Sequence, residues 1–136
     1  MEMNYFAVAL AVAGQFAIGG LWYGVVFGKI WGKMHDFDKL SKKEQKDMQA
    51  KMGPWYGVQL VVTVLTTVVL ALLIEHTDYT PYVLTTLLWL GFTLPAQASA
   101  AIFGGAKDGW VWHKIAISSA GSLISFLVAA FILVTL

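Results

Sequence analysis

The sequence contains no cysteine and no arginine, and it has few charged residues of either sign. Without cysteine it has no disulfide, no thiolate nucleophile and no cysteine-based metal site. Without arginine it lacks the planar guanidinium that usually binds phosphate or carboxylate through two hydrogen bonds. Charged residues make up 12% of the chain, whereas soluble domains contain about 25%. These absences argue against a thiol enzyme, an enzyme acting on phosphates and a soluble globular domain.

Apolar residues dominate what remains. They account for 58% of the 136 residues, and the mean hydropathy is +0.69. Four long apolar runs lie at about residues 5–27, 56–74, 82–103 and 115–136. Each is close to the ~20 residues that cross the hydrocarbon core of a bilayer as a helix. The sequence therefore predicts an all-α, integral membrane four-helix bundle that forms one transmembrane domain over residues 1–136. The lipid bilayer is its main partner, and no nucleic-acid partner is expected.

The positions of the lysines predict how the chain is oriented. All nine lie between the first and second runs or between the third and fourth. Basic residues are retained on the cytoplasmic side, so both connections should be cytoplasmic and both termini should be outside. The first run follows no basic residue and is longer than a signal-peptide core, which indicates a retained helix. We therefore expect a multi-pass protein of the plasma membrane.

The connecting segments differ in length and composition. Residues 28–53 form a long, lysine-rich inner loop. Within it, Ser41 and Glu44 match the capping box of a helix start, which predicts a short amphipathic helix over residues 42–52 at the inner interface. Residues 75–81 permit only a tight turn, so the second and third helices should form an antiparallel hairpin. Residues 104–112 are expected to form the last turn.

Small residues recur every fourth position in two of the helices. The two sets are related by a shift of 76 residues. Small residues at this spacing let helix backbones approach closely in lipid, which predicts two helix-packing faces. The match is explained either by two parallel hairpins that arose by duplication or by the frequency of glycine and alanine in membrane helices. The predicted packing residues are Gly20, Gly24 and Gly28 in the first helix and Ala96, Ala100 and Gly104 in the third.

One segment resembles a known family. The run Gly20-Leu-Trp22-Tyr23-Gly24-Val-Val-Phe27-Gly28-Lys29-Ile-Trp31, preceded by Asn4, is similar to the bacterial membrane family catalogued as domain of unknown function 1761. The similarity continues through Gly91 and the turn at 103–110. The family often has proline after the Trp-Tyr-small triplet, where this chain has Val25. The resemblance implies a four-helix protein of the bacterial inner membrane and supplies no activity.

Polar side chains within the apolar runs are candidates for a ligand site. No run contains an ionisable Asp, Glu, Lys or His in its interior, which argues against a proton- or ion-coupled pump. Gln59 and Gln97 lie at similar depths, close to the level of Trp22 and Tyr23, and these four predict either a polar cluster that binds a ligand or ordinary hydrogen bonds between helices. Pro95, just before Gln97, is expected to disturb the preceding helical turn.

Hydroxyl side chains form two further tracks. Ser118, Ser122 and Ser125 follow one side of the fourth helix, and Thr63 and Thr67 follow one side of the second. Such hydroxyls can bond to the preceding turn of their own helix, so packing explains them without a ligand. A water-lined path would require the two tracks to face each other.

The three histidines do not predict a metal site. His35 lies near Asp36 and Asp38, and His76 lies beside Glu75, but a metal site needs three or four converging ligands. We therefore expect no metal, no cofactor and no catalytic residues.

Two hypotheses for the function remain. The first is a non-catalytic assembly or accessory subunit that packs through its small-residue faces, as a homo-oligomer or within a larger membrane complex. The alternative is an oligomeric transporter or channel for small solutes, lined by Gln59, Gln97 and the hydroxyl tracks. An enzyme is not expected.

Overall fold

A computed structural model describes residues 3–104 and 108–136, and within these ranges the chain is helical and has no strand. Four helical stretches are long and apolar enough to cross a membrane: Tyr5–Val26, Gly53–His76, Pro81–Phe103 and Val111–Thr135. We call them spans 1 to 4. The predicted all-α four-helix membrane bundle is confirmed. Lys107, and with it the centre of the predicted last turn, lies outside the described residues.

Spans 1 and 3 are each divided by a π-helical turn, in which hydrogen bonds join residues five apart. Span 1 consists of helix α1 (Tyr5–Gly20) and a π-helical turn (Leu21–Val26). Span 3 consists of α5 (Pro81–Leu88), a π-helical turn (Trp89–Thr93) and α6 (Leu94–Phe103). The second turn precedes Pro95, as expected for a residue that removes a helical hydrogen bond. The first turn forms without any proline, since Val25 occupies that position.

Spans 2 and 4 are uninterrupted. Span 2 is helix α4 (Gly53–His76), which starts three residues earlier than predicted because Pro54 is well suited to a first helical turn. Span 4 is α7 (Val111–Thr135), which starts four residues earlier than predicted.

The segment between spans 1 and 2 contains two short helices. Helix α2 (Gly28–Met34) continues almost directly from span 1, where a loop was expected. Helix α3 (Lys42–Lys51) follows, and its first turn is capped by Ser41, whose Oγ accepts a hydrogen bond from the Glu44 amide at 3.2 Å. The capped helix predicted from the Ser41–Glu44 pattern is thus confirmed.

Both ends of the chain meet at one end of the bundle. The Asn4 side chain accepts a hydrogen bond from the Ala7 amide, and its Nδ2 donates to the Leu136 carbonyl at 3.0 Å. We call this the terminal end. The opposite end carries α2, α3 and Lys114, and we call it the lysine end.

Helix α7 is the centre of the bundle. It packs most extensively against α1 and also against α5 and α6, so spans 1 and 3 lie on its two sides. Ala129 of α7 is fully buried with Ala11 of α1 and Leu70 of α4 in the core, which lies toward the terminal end. Helix α4 contacts α5 at few positions. The 76–81 turn therefore joins spans 2 and 3 into a hairpin whose arms are largely separated.

Candidate functional site

Trp22 connects the π-helical turn of span 1 to the central helix. Its Nε1 donates a 2.8 Å hydrogen bond to the Ile117 carbonyl of α7. A Cβ at Gly121 would lie 2.6 Å from Trp22 Cδ1, so glycine is required for the indole to reach this carbonyl. A side chain at that position, one turn beyond Ile117, would otherwise cover the carbonyl oxygen. Gly121 and Trp22 therefore form a matched pair.

Trp89 makes the equivalent contact from the other side. It begins the π-helical turn of span 3, and its Nε1 donates a 2.8 Å hydrogen bond to the Ser119 carbonyl of α7. Both tryptophans lie in the sequence Leu-Trp-x-Gly, at Leu21–Gly24 and Leu88–Gly91, related by a shift of 67 residues. The π-helical turns thus correspond at a shift of 67, whereas the small-residue stripes correspond at 76. The sequence interpretation missed Trp89, although the shared tetrapeptide would have identified it.

A ladder of hydrogen bonds joins span 2 to span 1. Gln15 Nε2 donates to Thr67 Oγ1 at 2.7 Å, and both residues are buried. Thr67 Oγ1 donates to the Thr63 carbonyl, and Thr63 Oγ1 donates to the Gln59 carbonyl, each at 2.7 Å. Gln59 Nε2 lies 3.2 Å from Thr63 Oγ1, and the Gln59 side chain is exposed. The threonine track of span 2 therefore faces Gln15.

The serine track of span 4 faces span 3 instead. Gln97 Nε2 donates a 2.6 Å hydrogen bond to Ser122 Oγ. Gln97 Oε1 and Ser119 Oγ are buried and have no hydrogen-bond partner among the described residues. The two hydroxyl tracks have different neighbours, so a single chain does not bring them together into one path.

Tyr23 belongs to an aromatic group at the lysine end. Its ring centroid lies 4.7 Å from that of Trp31, which in turn lies 4.7 Å from that of His35. Lys114 Nζ lies 5.8 Å from the Trp31 ring centroid and 3.3 Å from His35 Nε2. His35 Nδ1 is 2.9 Å from the Trp31 carbonyl, so the tautomer with hydrogen on Nδ1 satisfies both contacts. This group attaches α2 to the start of α7.

The four residues of the predicted polar cluster therefore have separate hydrogen-bond or ring partners. Trp22 bonds to Ile117, Tyr23 stacks near Trp31, and the two glutamines bond to Thr63 and Ser122. No printed contact between described residues joins Trp22, Tyr23, Gln59 and Gln97 to one another. A shared ligand role for them stays a prediction.

The predicted packing residues lie mostly on the outside of the chain. Gly20, Gly24, Ala96, Ala100 and Gly104 are exposed, and Gly28 is partly buried. A Cβ at Gly20 or Gly24 would have no atom within 4 Å. At Gly104 a Cβ would collide with the Ala100 carbonyl oxygen, so this glycine is needed by its own backbone. The two stripes therefore do not pack helices within the chain, and their role between chains stays a prediction.

The lysine-end half of α4 is also without neighbours. Every residue from 53 to 62 is exposed, whereas the terminal half of the same helix buries Thr63, Thr67 and Leu70. Toward the terminal end a partly enclosed cleft of about 300 Å³ separates α4 from span 3, with Phe126 of α7 on its wall. Within residues 3–104 and 108–136, no three histidine, aspartate or glutamate side chains converge as metal ligands would.

Comparison with known proteins identifies a family and no activity. A model of the family described as "Protein of unknown function (DUF1761)" matches residues 6–134. This match confirms the resemblance read from the Trp22–Trp31 segment. No curated protein and no solved structure matches the chain.

Proposed function

Since the chain belongs to the DUF1761 family, whose description assigns no activity, we propose its function from its exposed surfaces: it is a non-catalytic assembly or accessory subunit of a membrane complex. The observation that carries the proposal is the outward position of the small-residue stripes. Glycine disfavours a helix by about 1 kcal/mol relative to alanine. Gly20 and Gly24 have no close neighbour within the chain, so a helix from another chain is the partner that would use them.

A second surface supports the same conclusion. Residues 53–62 of α4 are exposed and include Gln59, a polar side chain inside a membrane span. Polar side chains in spans generally face protein, because hydrocarbon offers them no hydrogen bond. A neighbouring helix would cover Gln59, and a second copy of this chain is the simplest source of that helix.

The oligomeric transporter remains the alternative, and one observation favours it. Gln97 Oε1 and Ser119 Oγ are buried without partners at the interface of spans 3 and 4, where water or a polar solute would satisfy them. Because the threonine and serine tracks face different helices within one chain, a path would need a second copy.

The assembly proposal is tested by lysine-directed crosslinking in native membranes, followed by native mass spectrometry of the extracted particle. We expect a defined complex for the wild type and loss of association in Gly24→Leu and Ala100→Leu. Both positions are exposed, so each monomer should still fold. Val25→Leu, at a neighbouring exposed position, is the matched control. An uncrosslinked wild-type monomer, or unchanged association in both variants, would contradict the proposal.

The same experiment separates the two functions. The assembly proposal expects Gln59→Leu and Gln97→Leu to leave the particle mass unchanged. The transport alternative expects both to abolish solute flux into proteoliposomes while the folded yield stays the same.

We further propose that the lysine end faces the cytoplasm of the bacterial inner membrane. The concentration of lysines in the 28–53 segment supports this orientation. Because the chain has no cysteine, single-cysteine variants report it directly. In whole cells, a membrane-impermeant maleimide should label Asp78→Cys and spare Lys46→Cys, and the reverse pattern would invert the topology.

A further inference from the structure

The cleft between spans 2 and 3 contains two hydroxyl groups that lack the usual intrahelical bond. Five threonines in or next to the spans donate to the carbonyl four residues earlier, at 2.7 to 2.8 Å; these are Thr63, Thr67, Thr77, Thr85 and Thr86. Thr66 and Thr93 both line the cleft, and among the described residues neither has a hydrogen-bond partner. A hydroxyl that faces hydrocarbon without a partner is unfavourable. Both groups are therefore available to a ligand.

The depth of these hydroxyls restricts what the ligand can be. Thr66 lies 10 residues before His76, and Thr93 lies 10 residues before Phe103, so each is about 15 Å along its helix from one end of its span. That distance is about half of the hydrocarbon thickness. A phospholipid places its polar groups at the membrane surface, and its acyl chain has no hydrogen-bonding group at the centre. The occupant must therefore carry an uncharged hydrogen-bond acceptor at the middle of the membrane.

The shape of the cleft restricts the ligand further. The remaining lining is apolar and includes the aromatic rings of Phe92 and Phe126, together with Leu70 and Leu88. A cavity of about 150 Å³ is enough to hold benzene. The volume of about 300 Å³ therefore accommodates a substituted six-membered ring and the start of an alkyl tail, and the open side lets the tail continue into lipid.

From these observations we propose that the cleft binds a lipid-soluble quinone, whose ring carbonyls accept hydrogen bonds from Thr66 and Thr93. The ring is flat and uncharged, as the aromatic and apolar walls require, and its carbonyls lie at the depth of the hydroxyls. The proposal concerns binding alone. It uses surfaces other than the small-residue stripes, so it stands or falls independently of the assembly proposal.

The test is binding of decylubiquinone to the full chain in nanodiscs, measured as stoichiometry and affinity by native mass spectrometry. We expect one molecule per chain. The double variant Thr66→Val, Thr93→Val keeps the shape of both side chains and removes both hydroxyls, and it should weaken binding about tenfold or more. The matched control is Thr86→Val, whose exposed hydroxyl donates to the Tyr82 carbonyl and lies outside the cleft. It should bind like the wild type.

Decylbenzene, which has the same tail and no carbonyl, tests the alternative occupants. We expect it to bind the wild type more weakly than decylubiquinone and to bind the double variant no worse. Equal affinity of the two probes for the wild type would overturn the proposal and indicate a slot for a hydrocarbon chain. Failure of the folded wild type to bind decylubiquinone would also overturn it, as would unchanged binding in the double variant.

Discussion

Helices α4 and α7 are similar in length and both strongly apolar, yet they occupy opposite positions in the bundle. Helix α7 is flanked by spans 1 and 3, whereas the lysine-end half of α4 has no protein neighbour among the described residues. In water, the more hydrophobic helix would be the more buried one. In lipid, side chains such as leucine gain little by leaving the solvent, so position depends on close packing and hydrogen bonds. The comparison indicates that α7 is central because its backbone can be approached.

The feature that distinguishes α7 is the pair of tryptophan contacts to its backbone. Trp22 and Trp89 donate to carbonyls two residues apart, Ile117 and Ser119, from spans on different sides of the helix. Each comes from a π-helical turn, a local irregularity that is frequent at functional sites. Helix α4 receives only one comparable contact in the described structure, from Gln15 to Thr67.

The largest effect is expected when the approach to α7 is blocked. Gly121→Leu would place side-chain atoms where the Trp22 indole lies, since even a Cβ would be 2.6 Å from it. We expect a loss of about 2 kcal/mol in the free energy of unfolding, the usual range for overpacking. Reversible unfolding in mixed micelles measures it. Gly57→Leu in α4, where a Cβ has no atom within 4 Å, is the control, and an equal loss there would contradict the comparison.

Removing the tryptophan hydrogen bonds should have the next largest effect. Trp22→Phe and Trp89→Phe keep an aromatic ring and remove the N–H that donates to α7. Each should lower the free energy of unfolding by about 1 kcal/mol. The double variant measures whether the two contacts act together. Strict additivity would mean that the two sides of α7 are held independently, and no change in either single variant would show that the N–H groups contribute nothing.

A smaller effect is expected at the contact between spans 1 and 2. Gln15→Leu removes the bond to Thr67, but Thr67 keeps its own bond to the Thr63 carbonyl, so we expect a loss of about 0.6 kcal/mol. Gln59→Leu changes a side chain that bonds only within α4 and should alter unfolding less. A larger loss at Gln59 would indicate that this exposed position is covered in the folded protein.

The smallest effect is expected on the exposed half of α4. Val61 is 67% exposed and Leu70 is 5% exposed in the same helix. Val61→Ala should change the free energy of unfolding of the monomer by less than about 0.5 kcal/mol. Leu70→Ala should destabilise it by at least about 1 kcal/mol more, because it leaves a void in the core. If Val61→Ala weakens the protein in native membranes but not in micelles, another chain covers this surface.

Hydropathy was sufficient to predict the number of spans and their approximate bounds, because a membrane helix must be apolar over its whole length. The capped helix α3 was also predictable, since Ser41 and Glu44 are adjacent in the first turn. The central position of α7 was not, because nothing in its composition differs enough from α4. The π-helical turns were missed for a related reason: the partner of each tryptophan N–H lies on a helix about 30 or 95 residues away.

The candidate site was predicted less well than the fold. The glutamines were correctly identified as polar residues within spans, but hydrophobic pattern alone does not say which helix each one faces. Gln97 faces Ser122 of α7, whereas Gln59 turns back along its own helix. Thr66 and Thr93 were not singled out, because a threonine without an intrahelical bond looks the same in sequence as one that has it.

The central helix is also the last of the four spans to be synthesised. Spans 1 to 3 therefore leave the ribosome before the backbone that accepts the Trp22 and Trp89 hydrogen bonds exists. Until α7 arrives, the earlier spans have little to hold them together, since α4 has few contacts with α5. We expect the membrane-inserted intermediate to be a loose set of three helices, vulnerable to quality-control proteases, and closure of the bundle to occur in one late step.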